Sequence, residues 1–298
     1  LKGDRGGSFA AFNRNKKSMT LDLRTEKGKE IFTRLVKWGD VLVENFRPGT
    51  MGKLGFGYEQ VRGINPRLVF VSISGFGQTG PYAQRAAFDY IGQAMAGIMS
   101  VTGEPGGKPT LCGAIIADME SGYFGAMGAL AALYARKETN EGQFVEASMY
   151  ESLLVSMSNF LVRRALGYSP GRGNFPSAPV GAFPTADDVH IFIAGHDNSH
   201  FPYITKLWGH PEMAKDPRYG DRDARYRHKE ELNQKLAAWV RARPATEVEK
   251  ALDKGGVPYG RVQTVDDLLR DSHLRAREMV LDVDHGEDIP LPLVGPHP

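Results

Sequence analysis

Two short apolar runs, 40–46 (DVLVENF) and 67–74 (RLVFVSIS), constrain the fold more than any other feature of this chain. Neither alternates with a period of two, so neither is suited to having one face in water. Each reads as a strand covered on both sides. A helical pattern precedes each run. Thr25 caps the first, whose apolar stripe is Ile31, Phe32, Leu35, Val36 and Trp38, and a shorter one lies near Tyr58–Arg62. Helix, strand, helix, strand predicts a parallel sheet joined by crossover helices, because parallel neighbours cannot be linked by a tight turn. Both runs end abruptly, one in Asn45-Phe46-Arg47-Pro48-Gly49 and the other in Gly75-Phe76-Gly77-Gln78-Thr79-Gly80-Pro81. Ligands of such sheets bind beyond the carboxyl ends of the strands, where these two loops fall.

The segment from Thr110 to Glu151 carries the candidate chemistry. An apolar run, Leu111–Ala117, ends in a single acid, Asp118, and a helical pattern rich in small residues follows to about Arg136. Asp118 is thereby expected near a helix N-terminus, where the backbone N–H groups and the dipole favour an ionised carboxylate. Two roles are open to it. Asp before a helix commonly serves as an N-cap, and an ionised carboxylate between apolar flanks can act as a nucleophile. Gly122, Gly125 and Gly128 each cost roughly 1 kcal/mol of helix stability against Ala, so close approach of a helix or a ligand is expected on their face. After this helix, GQFVEASMY is a further strand candidate, followed by a long helix over about 151–166.

Beyond it the composition changes. Residues 171–184 are rich in Gly, Pro and Ser and read as a linker between a large domain over 1–170 and a second unit over 185–285. The second unit mixes strand patterns (DDVHIFIAG, PYGRVQ, MVLDVDH) with amphipathic helices over 228–241 and 246–252, as in a small α+β domain. A proline-rich tail over 286–298 is expected to be extended. At 298 residues the chain has room for both domains.

Several functions are excluded or disfavoured. A net charge of +2 without blocks of like charge argues against a nucleic-acid surface. Gly75-Phe76-Gly77-Gln78-Thr79-Gly80 has GxGxxG spacing but runs into Pro81 instead of opening a helix, and no Walker A motif occurs, so neither a dinucleotide nor a P-loop site is expected. The single cysteine, Cys112, rules out an intrachain disulfide and suits a reducing cytoplasm. No apolar stretch reaches membrane-spanning length. His196 and His200 have metal-compatible i, i+4 spacing, but Pro202 follows and no third ligand is evident, so no metal is expected.

Taken together, Asn13-Arg14-Asn15-Lys16-Lys17-Ser18, LDL, Val43-Glu44-Asn45-Phe46-Arg47-Pro48-Gly49, the loop Gly75–Pro81, Asp118 at a helix start and Gly255-Gly256-Val257-Pro258 resemble, in order and spacing, the class III coenzyme A transferase family of CaiB/BaiF type. Formyl-CoA:oxalate transferase is a member. The resemblance covers nearly the whole chain. It implies an α/β fold, with a Rossmann-like large domain built on a parallel sheet plus a smaller α+β domain, and two subunits interlocked as a homodimer. Family members also carry a further strand–helix segment at their start and continue past the position of Pro298.

The resemblance further implies a role for each matching residue. Asp118 becomes the nucleophile. Leu21, Arg24, Asn45, Phe46, Lys53, Leu54 and Arg85 would surround coenzyme A, although Arg85 is one residue off the strict match, which Ala86 occupies. Arg14, Lys16 and Arg47 would add charge there or lie on a solvated surface. Gly77, Gln78 and Thr79 form the substrate loop, and Arg172 and Asn174 are candidates for holding a second carboxylate of the acceptor. The implied partners are an acyl-CoA donor and a carboxylic acid acceptor, with coenzyme A as co-substrate and neither metal nor redox cofactor. Racemases of the same fold need two opposed bases and carry a His-Asp pair where this chain has Phe88-Asp89. A non-catalytic acyl-CoA-binding protein is the alternative of another class.

Overall fold

The computed structural model describes residues 7–169, 171–173, 175–284 and 290–295. It divides into two compact units, one of Met19–Asn174 and one in which the stretch up to Ser18 joins Phe175–Pro298. In the first unit, β1 (Val41–Glu44), β2 (Val69–Ser74) and β3 (Phe144–Ser148) form a three-stranded parallel sheet in the order β1-β2-β3. The register sets Glu44, Ser72 and Glu146 abreast in one row.

The central strand shows why its sequence does not alternate. Phe70, on one face, joins Val36, Met51, Phe56, Val61 and Leu68, with Phe32 of the helix Glu26–Trp38 packed against them. Val69 and Val71, on the other face, meet Ala129 and Ala132 of the long helix Ile116–Thr139. Both faces are thus buried, as a crossover-linked sheet requires. The glycines of the long helix serve this contact unequally. A Cβ on Gly128 would lie 2.5 Å from Val145 Cγ1, whereas one on Gly122 would meet nothing within 4 Å. Close approach to the sheet therefore explains Gly128 but not Gly122.

Several local expectations differ from what is found. Thr25 does cap its helix, accepting the Gly28 N–H at 3.0 Å, but Trp38 is 84 % exposed and lies off the core. The stretch 18–23 forms no strand. The helix expected from Phe88 to Met99 breaks at Gly97 into Asp89–Met95 and Ile98–Val101. The long helix begins two residues ahead of Asp118, and the next one divides at Met157 into Met149–Ser156 and Ser158–Ala165.

The second unit has its own antiparallel sheet of β4 (Val180–Pro184), β5 (His190–Ala194) and β6 (Tyr259–Arg261), in that order. The alternation in β5 is real. Ile191 and Ile193 are fully buried against Leu236, Val240, Val248 and Leu252 of the helices Lys229–Arg241 and Ala245–Lys254. A hairpin-like pair, β7 (Val280–Val283) and β8 (Leu291–Val294), completes it. The proline-rich tail is therefore a paired strand over Leu291–Val294, and the rest of 286–298, apart from Pro290 and Gly295, lies outside the described residues. The carbonyl of Val294 accepts a hydrogen bond from Arg14 at 2.7 Å. His196 and His200 precede the helix Phe201–Leu207 rather than lying on it. Among the described residues no group of three His, Cys, Asp or Glu is placed to hold a metal.

Candidate active site

The carboxyl ends of β1 and β2 are tied together by side chains whose positions follow from the strand register. Glu44 and Ser72 face each other in the row, and the buried Ser72 hydroxyl donates to Glu44 Oε1. Glu44 Oε2 accepts the backbone N–H of Phe46 at 2.8 Å, and Asn45 Nδ2 donates to the carbonyl of Ile73 at 2.7 Å. The Asn45-Phe46 loop is thereby fastened to the sheet by its backbone and its amide, while the Phe46 ring stays half exposed. At the end of β2, Gly77 has φ +86° and donates its N–H to Ser74 Oγ at 3.0 Å. Gln78 donates its N–H to Glu146 Oε1 and its side-chain Nε2 to Ser72 Oγ at 2.8 Å. Thr79 is exposed.

The loop then passes a cluster of rings. The Arg85 guanidinium lies 4.9 Å from the Tyr82 ring centre and 5.5 Å from that of Phe76, and it makes no ion pair among the described residues. Such stacking holds the stem while leaving the cation available to an anion. Lys53 is likewise exposed, at the end of the short helix Thr50–Lys53. Arg24, by contrast, is engaged with Asp22 through two parallel hydrogen bonds of 2.9 and 3.0 Å, which hold the Asp22 carboxyl down at about 2. Leu54 packs partly into the Val36–Phe70 core, and Leu21 is half-buried outside that core.

From the Gly-rich loop the chain leads directly to Asp118. A Cβ on Gly75 would lie 2.3 Å from that of Ala87, so the strand end and the approach to the Asp89 helix are in direct contact. Asp89 opens that helix and is only 7 % exposed. Its Oδ1 accepts the backbone N–H groups of Ala117 at 2.7 Å and Asp118 at 3.3 Å. Its Oδ2 accepts from Gln93 Nε2 at 2.7 Å. Gln93, fully buried, also accepts the Cys112 N–H at 3.1 Å and donates to the Ala114 carbonyl at 3.1 Å. Asp89 and Gln93, one turn apart, thus fix the whole approach to the long helix. Neither was a candidate from sequence. The signal was an acid and an amide at i, i+4 spacing on an otherwise apolar segment, which can be read only once the partner helix is known.

This arrangement corrects the expected state of Asp118. The residue is the third of its helix, Ile115 occupies the N-cap position, and the Asp118 side chain makes no capping bond. The helix amides that were expected to stabilise its charge serve other groups. Ile116 donates to the Ala114 carbonyl, Ala117 and Asp118 donate to Asp89, and Met119 donates to the Ile115 carbonyl. The Asp118 side chain is exposed, yet partial desolvation of its carboxyl raises its pKa above the usual Asp value, and the negative charge of Asp89 raises it further. The carboxyl is held closer to neutrality, and no cation pairs with it among the described residues.

Arg172 lies apart from the Gln78 row in hydrogen-bonding terms, donating to the Gly107 carbonyl, and Asn174 lies outside the described residues.

Comparison with known proteins gives a consistent set of relatives. The family model for CoA-transferase family III matches residues 2–297. The succinyl-CoA–D-citramalate CoA-transferase of Chloroflexus aurantiacus is 40 % identical over 280 residues, covering 93 % of this chain and 69 % of the relative. The acetyl-CoA:oxalate CoA-transferase of Acetobacter aceti is 38 % identical over 284 residues, covering 94 % and 73 %. Among solved structures, a CaiB/BaiF family protein from Brucella suis matches all of this chain and 82 % of its own, with a TM-score of 0.82 and 34 % identity.

Proposed function

Given that this chain belongs to CoA-transferase family III, we propose that it moves coenzyme A from an acyl-CoA donor to a carboxylic acid acceptor through a covalent intermediate on Asp118. The Asp118 carboxylate attacks the donor thioester, and CoA thiolate leaves a mixed anhydride. The thiolate then attacks the Asp118 side of that anhydride, which frees the donor acid and leaves an aspartyl-CoA thioester. The acceptor carboxylate attacks this thioester, and the expelled thiolate closes the cycle on the acceptor's carbonyl, regenerating Asp118. Every step exchanges one activated acyl group for another, so the chemistry closes without any further reactant.

One observation carries this reading, the exposed Asp118 carboxyl over a buried Asp89 with no cation among the described residues to neutralise it. A carboxylate of raised pKa is a stronger nucleophile once ionised. The first amides of its helix are committed to Asp89 and to neighbouring carbonyls, so the tetrahedral oxyanions draw on other donors. Asn45 and Phe46 face the nucleotide of coenzyme A, with Leu21 and Leu54 as apolar contacts. Arg85 and Lys53 meet its phosphates, and Arg24 does so at the expense of its pair with Asp22. The acceptor acid is set against Gly77, Gln78 and Thr79.

Phe88 supports transfer over racemisation, since a phenyl ring cannot take a proton and the adjacent Asp89 is spent on the helix amides. We also assign an interlocked homodimer to the chain. Tyr123, Met127, Leu130 and Tyr134 recur along one side of the long helix and are all exposed, an apolar stripe suited to a second copy. No described helix is long and apolar enough to cross a membrane, and a cytoplasmic location fits the single cysteine.

The direct test is to mix the protein with acyl-CoA alone, quench, and weigh it. A mass gain matching an acyl or CoA adduct that maps to Asp118, and is absent from Asp118→Asn, is the expected result. A turning-over enzyme with no adduct at Asp118, even with hydroxylamine trapping, would overturn the assignment. Unchanged CoA exchange in Asp118→Ala would do so as well.

A further inference from the structure

The row Glu44–Ser72–Glu146 lies across all three strands, at the carboxyl end of β1, and each of its side chains has a directed hydrogen-bond partner. Ser72 sits at its centre, 1 % exposed. Its hydroxyl donates to Glu44 Oε1 and accepts from Gln78 Nε2 at 2.8 Å. The other Glu44 oxygen accepts the Phe46 N–H at 2.8 Å. Gln78 donates its own N–H to Glu146. A hydrogen-bonded chain therefore runs from the backbone of one loop, through two strands, to the side chain of the other. Its polarity is fixed, because the single Ser72 proton must go to the carboxylate if the amide of Gln78 is to donate.

We propose that Ser72 is a positioning residue that couples the donor-binding loop Asn45-Phe46 to the acceptor loop Gly77–Thr79, so that the two are set as one unit. The proposal rests on the assignment of those loops to the donor and the acceptor given above. Three observations carry it. Ser72 bonds Gln78 of one loop directly and reaches the other through Glu44, although it belongs to neither. Glu44 is buried and touches the Phe46 backbone, so its displacement moves that loop. Finally, the Gln78 side chain is turned into the sheet edge by its bond to Ser72. It is thereby a wall of the acceptor position rather than a free arm reaching for a carboxylate. Removing the hydroxyl leaves a buried carboxylate oxygen and an amide N–H without their partner, and both loops must readjust.

The test compares steady-state kinetics of the full chain and four variants, with CoA exchange between an acyl-CoA and an acceptor acid as the assay. Phe46→Ala probes the loop assignment itself and is expected to raise KM for acyl-CoA about tenfold while leaving KM for the acceptor unaltered. Ser72→Ala is expected to raise both KM values about five- to tenfold, with kcat within about twofold of the parent. Glu44→Gln keeps the shape of the side chain but turns one of its two acceptors into a donor, and is expected to raise both KM values by a smaller factor. It carries the same test if Ser72→Ala does not fold. Val71→Ala, equally buried on the same strand but outside the chain of bonds, is the control. It should lower the melting temperature and leave both KM values near the parent's. A rise in only one KM, or in neither, for both Ser72→Ala and Glu44→Gln overturns the coupling. An unaltered acyl-CoA KM in Phe46→Ala overturns the loop assignment separately.

Discussion

The backbone N–H of Asp118 points at the carboxylate of Asp89, 29 residues earlier in the chain, at 3.3 Å. One acid thus sits beneath another. The buried one takes the hydrogen bonds that the helix end offers, and the exposed one is left partly desolvated and repelled. A helix start that would ordinarily make its acid more acidic here does the opposite.

Loss of Asp118 should abolish transfer while improving the fold. Asp118→Asn is expected to lower kcat by about a thousandfold or more, since no neighbouring group replaces the nucleophile. Its folded pKa is raised, so folding favours the protonated form. Its stability contribution is complete below the unfolded Asp pKa of about 3.9 and is lost as the pH rises through the folded value. Asn carries no such penalty, so the variant should melt higher than the parent at pH 7, and that advantage should vanish on acidification. Thermal melts between pH 3 and 7 check the sign.

Asp89→Asn removes the nearby negative charge, so the pKa of Asp118 should fall toward its ordinary value. The acid limb of kcat/KM against pH should move to lower pH, and stability should drop by about 1–2 kcal/mol because a charged acceptor of two helix amides is replaced by a neutral one. An acid limb that stays in place would show that Asp89 does not tune Asp118.

Gly128→Ala would drive a methyl to 2.5 Å from Val145 Cγ1. The expected loss is about 1–3 kcal/mol in a denaturant titration, with partial recovery on adding Val145→Ala, because the second change removes the clashing atom.

Arg85→Met should raise KM for acyl-CoA by about tenfold and leave KM for the matching acyl-pantetheine, which lacks the nucleotide, near that of the parent. Equal effects on both esters would place Arg85 away from the phosphates.

Leu130→Asp should turn the proposed dimer into a monomer, because a charge on the exposed stripe of the long helix cannot be buried against a second copy. Sedimentation velocity at micromolar concentration reads the change directly.

Much of the sheet was legible because continuous apolar runs have few alternatives. Phe70 and Val71 had to be buried on opposite faces whatever covered them. The two loops were legible for the same reason, since Pro48-Gly49 and Gly75–Gly80 punctuate the strands. What could not be read was every relationship set by packing between distant segments. Trp38 fits the helical stripe by spacing, yet the sheet lies elsewhere. The long helix cannot be assigned its cap from its own residues, because the cap, Asp89, comes from another helix. The state of Asp118 depends on the burial of its carboxyl and on Asp89, neither of which spacing reveals. Arg24 looked available because its pairing with Asp22 depends on a turn that spacing does not reveal.

The bond from Arg14 to the carbonyl of Val294 spans 280 positions and joins the two extremities of the second unit. A ribosome releases residues 19–174 as one uninterrupted piece, free to condense while translation continues. Arg14 must wait for its partner until strand β8 has emerged. The second unit can therefore complete its pairing only after strand β8 has been made, and a message stalled before that point would leave this pairing undone.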